Sequence, residues 1–369
     1  MSPGPTEFVE ERIAAQPWRG EHPPMRVLAI RLHALGDTVL TLPYLDALRR
    51  HSPPMRLDFL TRREVAEIPR SVVLFDRVFA LAGGRDPRRQ MLAALALAPW
   101  LRSRRYDVVI DLQRNRISRL VRRLLAPSAW SEFDRFSPRL AGERTRATIE
   151  AAGFSLGDVR PELVLKDPDA GRRLLVAAGW DPSNKLVVLN PAGAFSGRNW
   201  PLASYAAFAK LWLERVSHAT QFAILGLPQL AGKARELKRL LDDQLVDLVG
   251  RTSAVEAFAV LAGASLVLSE DSGLLHIAWV AGAPTLGLFG ASRGDWSRPH
   301  GNYSDCILAC RGLESACLVD GRCHAAPPTC LERVPPEQVL DRARALAERV
   351  TGLPKVIDPA GSSGPQRPD

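Results

Sequence analysis

The chain has 369 residues, of which 46% are hydrophobic and 24% charged, as is typical of a soluble globular protein with room for two domains. No apolar run approaches the roughly 18 residues that a membrane-spanning helix requires, and residues 1–24 lack the apolar core of a signal peptide. A cytoplasmic protein is therefore predicted. The net charge is +9 and is concentrated between Leu101 and Leu140, where ten arginines stand against four acidic residues.

This basic segment favours an anionic partner: a nucleic acid, a membrane surface or a phosphorylated glycolipid. We do not expect a nucleic-acid partner, because no helix-turn-helix, RNA-recognition or zinc-finger pattern accompanies the charge. A solvated helix surface without a partner is the alternative that the sequence leaves open.

Strand-like apolar runs alternate with helical patterns along the chain, which predicts parallel α/β units. The expected strands are Val27–Leu32, Leu57–Leu60, Val72–Phe79, Val108–Leu112, Leu186–Leu189, Phe222–Leu225, Val246–Leu248, Leu266–Leu268 and Leu286–Phe289. The expected helices are Thr38–Leu48, Arg89–Arg102, Ile117–Leu125, Ser204–Val216, Leu230–Leu241, Ala254–Leu261 and Pro336–Val350.

The irregular pattern between residues 135 and 180 indicates a domain boundary. We expect a first domain over residues 25–172 and a second over residues 173–353. Residues 1–24 are predicted to be a disordered extension, and the Pro/Gly/Ser-rich residues 354–369 a disordered tail.

The first chemically informative segment follows the first expected strand and reads His33-Ala-Leu-Gly-Asp37. Gly36 permits a tight turn at the carboxyl end of a strand, where open α/β sheets place their ligands. Asp37 then lies at the mouth of a cleft, where it can act as a general base or cap the following helix. The segment is not a GxGxxG dinucleotide fingerprint, and the chain contains no GxxxxGK[ST] phosphate loop.

The second informative segment is Ser269-Glu-Asp-Ser-Gly-Leu-Leu-His276, between a short β-prone run and a further apolar run. A strand that turns into a helix here directs free backbone N–H groups and the positive end of the helix dipole at one point, which suits a phosphate. Asp271 would repel that anion and is expected to bind hydroxyls, as on a sugar. An ordinary capped helix is the alternative.

Three blocks of the chain resemble the signature motifs of the lipopolysaccharide heptosyltransferases, glycosyltransferase family nine. They are Gly36-Asp-Thr-Val-Leu-Thr-Leu-Pro43, Asn190-Pro-Ala-Gly193 with Arg198-Asn-Trp-Pro201, and Asp271-Ser-Gly-Leu-Leu-His276. The resemblance implies a GT-B fold, in which two Rossmann-like domains face a central cleft and the final helix crosses back to the first domain.

The resemblance also implies an inverting transfer of a sugar, heptose from ADP-heptose, onto a lipopolysaccharide core. Asp37 matches the aspartate of the family's Gly-Asp motif and is the candidate general base. Arg198 stands where the family usually has lysine and is the candidate for stabilising the departing diphosphate. The other donor-binding candidates are Thr252, Asp271, Ser272, Gly273 and His276.

We expect no cofactor and no metal requirement, because no DxD-like carboxylate pair stands at a strand end. Five cysteines lie close together near the end of the chain, at Cys306, Cys310, Cys317, Cys323 and Cys330. They form no CxxC pair and are irregularly spaced, so reduced thiols are expected, with a zinc site as the alternative.

The acceptor is expected on the basic segment. Arg116, Arg119 and Arg123 share one helical face by their spacing, which would suit phosphates or acidic sugars of a lipid-linked oligosaccharide. The expected partners are thus a nucleotide sugar and an anionic glycolipid, with association at the inner face of the inner membrane as a further expectation.

Two other functions remain open from the sequence. The first keeps the fold but changes the sugar or the acceptor, because Arg198-Asn199 and His33-Ala34 depart from common family forms. The second is a non-catalytic nucleotide-sugar-binding or assembly protein, against which the presence of Asp37 argues.

Overall fold

The computed structural model describes residues 13–351, apart from residues 53, 162, 194–198, 292–293 and 310–328. Within these ranges, no helix has both the length and the apolar character needed to cross a membrane. The described chain forms two six-stranded sheets, each covered by helices.

The first sheet is parallel except at one edge. Its strands are β1 (Ala15–Gln16), β2 (Arg26–Arg31), β3 (Arg56–Arg62), β4 (Arg77–Leu81), β5 (Val108–Asp111) and β6 (Ala129–Glu132). Their order is β1-β6-β5-β2-β3-β4, with β1 antiparallel to β6. The accompanying helices are α1 (Leu35–Val39), α2 (Leu42–His51), α3 (Glu67–Ser71), α4 (Pro87–Ser103), α5 (Arg116–Leu125) and α6 (Ala141–Ala151).

The second sheet is parallel throughout. Its strands are β7 (Lys185–Asn190), β8 (Thr220–Gly226), β9 (Leu245–Val249), β10 (Leu266–Glu270), β11 (Thr285–Phe289) and β12 (Ser304–Leu308), in the order β12-β11-β10-β7-β8-β9. Its helices are α7 (Ala170–Ala177), α8 (Leu202–Arg215), α9 (Ala231–Leu241), α10 (Ala254–Ala262), α11 (Gly273–Val280), α12 (Gly294–Ser297) and α13 (Pro336–Thr351). Single 3₁₀ turns lie at Arg63–Val65, Pro228–Leu230, Asp242–Gln244 and Leu331–Arg333.

The central strands are apolar on both faces because helices cover both sides of each sheet. In β2 the run Val27–Ile30 is fully buried, and in β7 the run Val187–Leu189 is equally so. In each sheet the strand order reverses between two central neighbours, β2 with β5 and β7 with β10. Ligands of open α/β sheets bind in the crevice beyond the carboxyl ends of such strands, so these two points locate the functional site.

The predicted helix Thr38–Leu48 is two helices. α1 ends at Val39 and α2 begins at Leu42, with Pro43 in its first turn. Proline has no N–H to donate to a preceding turn but suits the start of a helix, so one continuous helix is replaced by two.

The predicted strand Val72–Phe79 is wrong at its start, because β4 begins at Arg77. Val72 forms an isolated bridge with Leu165 instead. The Asp76 carboxylate accepts a hydrogen bond from the backbone N–H of Leu57 at 2.9 Å. The pairing of β4 with β3 starts at the next residue, with Arg77 opposite Asp58.

The amino-terminal prediction of disorder is wrong for residues 13–24. β1 pairs with β6, and the Trp18 backbone N–H donates to the carbonyl of Ala152 at 2.9 Å. Residues 1–12 and the predicted tail, 354–369, lie outside the described residues.

The predicted domain boundary between residues 172 and 173 falls inside α7. Leu165 bridges to the first domain, whereas α7 packs on α10 of the second. The chain therefore changes domains at residues 166–169. A helix that packs on one domain along its whole length cannot straddle the boundary.

The last helix, α13, was expected to cross back to the first domain. Its main contacts are with α8 and β10 to β12, and Val339, Ala343 and Leu346 are buried in the second domain's core. The Arg342 Nε–H also donates to Asp305 at the start of β12, at 2.6 Å. The apolar face of the described helix is therefore used by the second sheet, and the crossing to the first domain that the resemblance implies stays a prediction.

Candidate active site

The two domains meet where α1 touches α11. A Cβ built on Gly36 would lie 2.8 Å from Cδ2 of His276, so a residue with a side chain does not fit without displacement. This contact brings the Gly36-Asp37 segment and the Asp271–His276 segment, which are far apart in sequence, to one place.

Further contacts between the domains surround this point. The Tyr44 hydroxyl lies 3.1 Å from Nε2 of His300, and the indole N–H of Trp296 donates to the carbonyl of Ser137 at 3.3 Å. The guanidinium of Arg144 lies 5.0 Å from the Trp296 ring centre. The cleft between the domains is therefore lined from both sides by polar and aromatic groups.

The Asp37 carboxylate is held by two cationic or polar groups. Nη2 of Arg31 lies 3.2 Å from Oδ1, and Nδ1 of His33 lies 2.6 Å from Oδ2. Burial acts to raise the pKa of Asp37, but the His33 hydrogen bond and the Arg31 charge outweigh it and lower the pKa to about 2. The carboxylate is therefore ionised at neutral pH, and with 37% of the side chain exposed it is accessible from the cleft.

Asp37 does not cap helix α1, which was the alternative role for this residue. The N-cap position of α1 is Ala34, and no side chain caps this helix. The sequence analysis noted His33 only as a departure from common family forms. Its contact with Asp37 was not predicted, because His33 lies before the N-cap of α1 and reaches the carboxylate from outside the helix.

At the crevice of the second sheet, Asn190 joins the ends of β7 and β10. Its amide nitrogen donates to Ser269 Oγ and Ser272 Oγ, each at 2.8 Å. Ser272 is the N-cap of α11 in extended conformation and does not cap the helix through its side chain. A Cβ on Gly273 would meet no described atom within 4 Å, so there is room beside the first turn of α11. The N–H groups of a first helical turn have no partner within the helix, which makes this end suitable for an anion.

Glu270, beside these residues, is a buried carboxylate that the sequence reasoning missed. It is fully buried, and it accepts the N–H of Gly193 at 2.7 Å and the N–H of Trp200 at 2.6 Å. Burial raises its pKa to about 7, against the lowering effects of the Trp200 N–H, the Lys233 charge and the Gly193 N–H. The glutamate thus links Gly193 and Trp200 to the end of β10.

Lys233 of α9 holds two further residues of this region, Pro191 and Asn199. Its ammonium group donates to the carbonyl of Pro191 at 2.6 Å and contacts the side-chain oxygen of Asn199. Glu270 belongs to the Ser269–His276 segment, but nothing in that segment indicates its partners, because Gly193 and Trp200 are distant in sequence. Lys233 lies in no informative segment, and its partners are also distant.

The remaining donor-binding candidates lie around this crevice. Thr252 is half-buried in the turn after β9, and Asp271 is half-buried beside Ser272. His276 is buried, its Nδ1 has no hydrogen-bond partner among the described residues, and burial lowers its pKa, which favours the neutral imidazole. Arg198 lies outside the described residues.

The comparisons with known proteins identify the family. The family model described as glycosyltransferase family 9 (heptosyltransferase) matches residues 135–323. The chain belongs to glycosyltransferase family 9. It is accordingly a glycosyltransferase, as predicted, and the non-catalytic alternative is set aside.

Individual relatives agree with this assignment. The chain is 28% identical over 304 residues to lipopolysaccharide heptosyltransferase 1 of Pseudomonas aeruginosa, covering 75% of this chain and 82% of that protein. Among solved structures, the family 9 glycosyl transferase of Veillonella parvula aligns with a TM-score of 0.71 and 17% identity over 88% of this chain and 97% of the other. The ADP-heptose LPS heptosyltransferase II of E. coli aligns with a TM-score of 0.67 and 18% identity over 88% and 99%. The GT-B fold predicted from the sequence is confirmed.

In this family 9 enzyme the three predicted acceptor arginines have different surroundings. Arg116 and Arg123 are exposed. Arg119 pairs with the buried Glu132, Nη2 to Oε2 at 2.6 Å. Arg122 contacts the same carboxylate and stacks 3.6 Å from the Trp130 ring centre. Part of the basic helix is therefore neutralised within the protein.

The cysteine prediction is only partly within the described residues. Cys306 and Cys330 carry free thiols, and burial raises the pKa of Cys306 to about 12. Cys310, Cys317 and Cys323 lie outside the described residues. In the part of the chain that the structure describes, no three His, Cys, Asp or Glu side chains are grouped to hold a metal ion.

Replacing Gly36 with alanine should disrupt the contact between the domains. The added methyl group would lie 2.8 Å from the His276 ring, and overpacking of this kind costs about 1–3 kcal/mol. Urea unfolding should report the loss, and Gly36→Ala combined with His276→Ala should recover part of it. Gly232→Ala is the control, because that exposed position in α9 has no atom within 4 Å of an added Cβ and alanine should stabilise the helix. Equal stability of Gly36→Ala and wild type would contradict the packing described.

Replacing Glu270 with glutamine should remove a pH dependence of stability. A buried acid with a raised pKa binds its proton more tightly in the folded state, so the free energy of unfolding falls as pH rises from about 4.5 to about 7. Glutamine cannot titrate, and at every pH it leaves one of the two N–H groups without an acceptor, at a cost of about 1–3 kcal/mol. Urea unfolding at about pH 5 and about pH 8 measures the slope. The exposed Glu214→Gln control should keep the wild-type slope, and an unchanged slope in Glu270→Gln would exclude this carboxyl as its source.

Proposed function

We propose that this enzyme is an inverting, metal-independent heptosyltransferase that moves heptose from ADP-heptose onto a lipopolysaccharide core acceptor. The observation that carries the proposal is the contact of Gly36 with His276, because it joins the ionised Asp37 carboxylate to the open N-terminus of α11. A carboxylate next to an anion-binding helix end provides the two groups that transfer from a nucleotide sugar requires.

In the proposed reaction the acceptor hydroxyl attacks the anomeric carbon of the donor sugar. Asp37 takes the hydroxyl proton as the new carbon–oxygen bond forms. The bond from the anomeric carbon to the diphosphate breaks, and its electron pair leaves with the diphosphate oxygen. Because the acceptor enters opposite the leaving group and no enzyme-bound sugar is formed, the configuration at the anomeric carbon is inverted.

The departing diphosphate is stabilised by positive potential in the second domain. We assign this role to the N–H groups at Ser272 and Gly273 and to the dipole of α11, whose N-terminal end follows the carboxyl end of β10. Arg198 adds a guanidinium by its place in the sequence, and Asn190 orients Ser272. Asp271 is assigned to the sugar hydroxyls. Thr252 is assigned to the nucleoside.

The sugar and the acceptor are proposed from the relatives. The Pseudomonas aeruginosa protein is named a lipopolysaccharide heptosyltransferase, and the E. coli structure is named for ADP-heptose. We propose that the chain works in the cytoplasm, at the inner face of the inner membrane, where a lipid-linked acceptor is accessible. A same-fold enzyme with another sugar or acceptor is the second candidate. It is favoured by His33, a residue that departs from common family forms and lies 2.6 Å from the Asp37 carboxylate.

Asp37→Asn should abolish transfer while leaving nucleotide binding intact. Loss of a general base lowers the rate about 10²–10⁴-fold, whereas the carboxylate lies in the other domain from the α11 N-terminus. Transfer is measured by mass spectrometry of core oligosaccharide incubated with ADP-heptose, and ADP affinity by calorimetry. Asp46→Asn on α2, where the carboxylate pairs with Arg50, is the control and should keep wild-type turnover.

Wild-type turnover in Asp37→Asn would show that another group takes the proton.

The same transfer assay in the presence of EDTA should proceed at the untreated rate. Loss of activity that magnesium restores would overturn the metal-independent mechanism. Transfer from a UDP-sugar, with none from ADP-heptose, would favour the second candidate.

Exposed and paired arginines of α5 should respond differently to substitution. Arg116→Gln with Arg123→Gln should raise the KM for an anionic acceptor several-fold at low salt, and the effect should shrink as salt screens the charges over about 10 Å. Arg119→Gln should instead lower the free energy of unfolding, because Glu132 is buried and loses a partner. Unchanged acceptor kinetics in the double variant at low salt would make these residues a solvated helix face.

A further inference from the structure

The outward face of α4 carries apolar side chains without a covering. Leu92 is 68% exposed, Leu95 47% and Trp100 50%, and their spacing places them along one side of the helix. They account for three of the nine large hydrophobic residues that are exposed in the described chain, and all three lie on this single helix. Exposed apolar residues are ordinary when scattered, but a contiguous row marks a surface that is covered in function.

The same helix is anchored to the protein by its other side. Ala94 and Leu101 belong to the first domain's core, and Ala98 is buried beside them. Trp100 lies at the border of the two faces: half of it is exposed, and its ring meets Phe79 edge-on, with ring centres 4.7 Å apart. Folding of α4 is therefore secured by its inner face, and the outer row is available for a partner.

Arginines flank this apolar row at both ends. Arg85, Arg88 and Arg89 are exposed at the start of α4, and Arg102 and Arg105 are exposed at its end. The helix itself contains no acidic residue, and Asp86 before it caps the backbone N–H of Arg88 at 2.8 Å. Cationic side chains at a helix N-terminus oppose the helix dipole, so their position there is favourable chiefly toward an anionic partner.

A basic cavity adjoins the C-terminal end of the row. It measures about 230 Å³, and its lining has an excess of positive charge, since four arginines stand beside two carboxylates and Tyr106. The arginines are Arg26, Arg56, Arg77 and Arg104, and the carboxylates are Asp58 and Asp76. Nε and Nη2 of Arg104 are buried and make no hydrogen bond within the described structure. The Arg104 guanidinium lies 5.9 Å from the Trp100 ring centre, so the cavity and the apolar row are continuous. Unsatisfied guanidinium donors beside an interfacial tryptophan suit a phosphate group.

We infer that α4 docks this enzyme on an anionic lipid bilayer. The α4 face, defined as Leu92, Leu95 and Trp100 with the arginines at both helix ends, lies flat in the headgroup region. Its apolar side chains enter the acyl boundary, and the arginines bind lipid phosphates. The charge at both ends selects a lipid surface over a second copy of the chain, because two such faces would bring arginine against arginine.

The location of α4 connects this surface to the cleft. The helix follows β4, so its N-terminal end lies at the carboxyl edge of the first sheet, the edge at which Asp37 lies. A bilayer under α4 would hold a lipid-linked acceptor beside that edge. This use of the surface rests on the proposed function, whereas lipid binding itself does not.

Vesicle flotation of the full chain tests the inference. The protein should bind vesicles of phosphatidylglycerol and phosphatidylcholine, should bind pure phosphatidylcholine much more weakly, and should dissociate as salt increases. Leu92→Gln with Leu95→Gln and Trp100→Gln should weaken binding at least tenfold, because the apolar contribution scales with buried area. Arg88→Gln with Arg89→Gln should weaken it and reduce the salt dependence. Leu227→Gln is the control, because Leu227 is 71% exposed on the second domain and should not affect binding.

The outcomes separate this inference from the proposed function. Transfer of heptose to a deacylated, water-soluble acceptor should be equal in wild type and the triple glutamine variant. Vesicle binding without any heptose transfer would refute the proposed function and leave the docking surface in place. Equal vesicle binding by the triple variant and wild type would overturn the docking surface. It would also be overturned if wild type bound no vesicles but formed a dimer, and the triple variant did not dimerise.

Discussion

The structure depends on one steric constraint, the absence of a side chain at Gly36. Because His276 lies where a Cβ would be, α1 and α11 can pack directly against each other, and the carboxyl edges of the two sheets come together. A larger residue would hold the domains apart at the point where chemistry requires them to meet. The glycine is thus important for its small size and not for its backbone freedom. It sets the distance between the Asp37 segment and α11.

The second domain shows how a buried polar network prepares a binding edge. Glu270 accepts two backbone N–H groups from both sides of the 194–198 segment, and Asn190 joins the two strands at the crevice. These bonds satisfy groups that burial would otherwise penalise, so the loops at the strand ends are held before any ligand arrives. Preorganisation of this kind lowers the cost of binding a diphosphate, because less of the chain has to be ordered.

The sequence predicted the elements whose signal is local and missed those whose signal is not. Central strands such as Val27–Leu32 were predictable because both faces are buried and the run is continuously apolar. β1, β6 and β12 were missed because polar residues interrupt each of them, so that their strand structure depends on the neighbour they pair with. Asp37 and His276 were found through local motifs. Glu270 and Lys233 could not be, because their partners are backbone groups more than thirty residues away.

Asp37 has a low pKa, and its two contacts explain how such a carboxylate could still serve in the proposed role of proton acceptor. Arg31 and His33 each hold one carboxylate oxygen, which makes the group a weak base in the open cleft but fixes its orientation. A bound donor and acceptor would exclude water from the cleft, and desolvation already acts to raise this pKa. The carboxylate would therefore become more basic when the substrates are in place. Before that point the carboxylate stays ionised and its orientation is fixed by Arg31 and His33. Accurate placement of reacting groups can lower an activation barrier by as much as about 7–11 kcal/mol, as intramolecular reactions show.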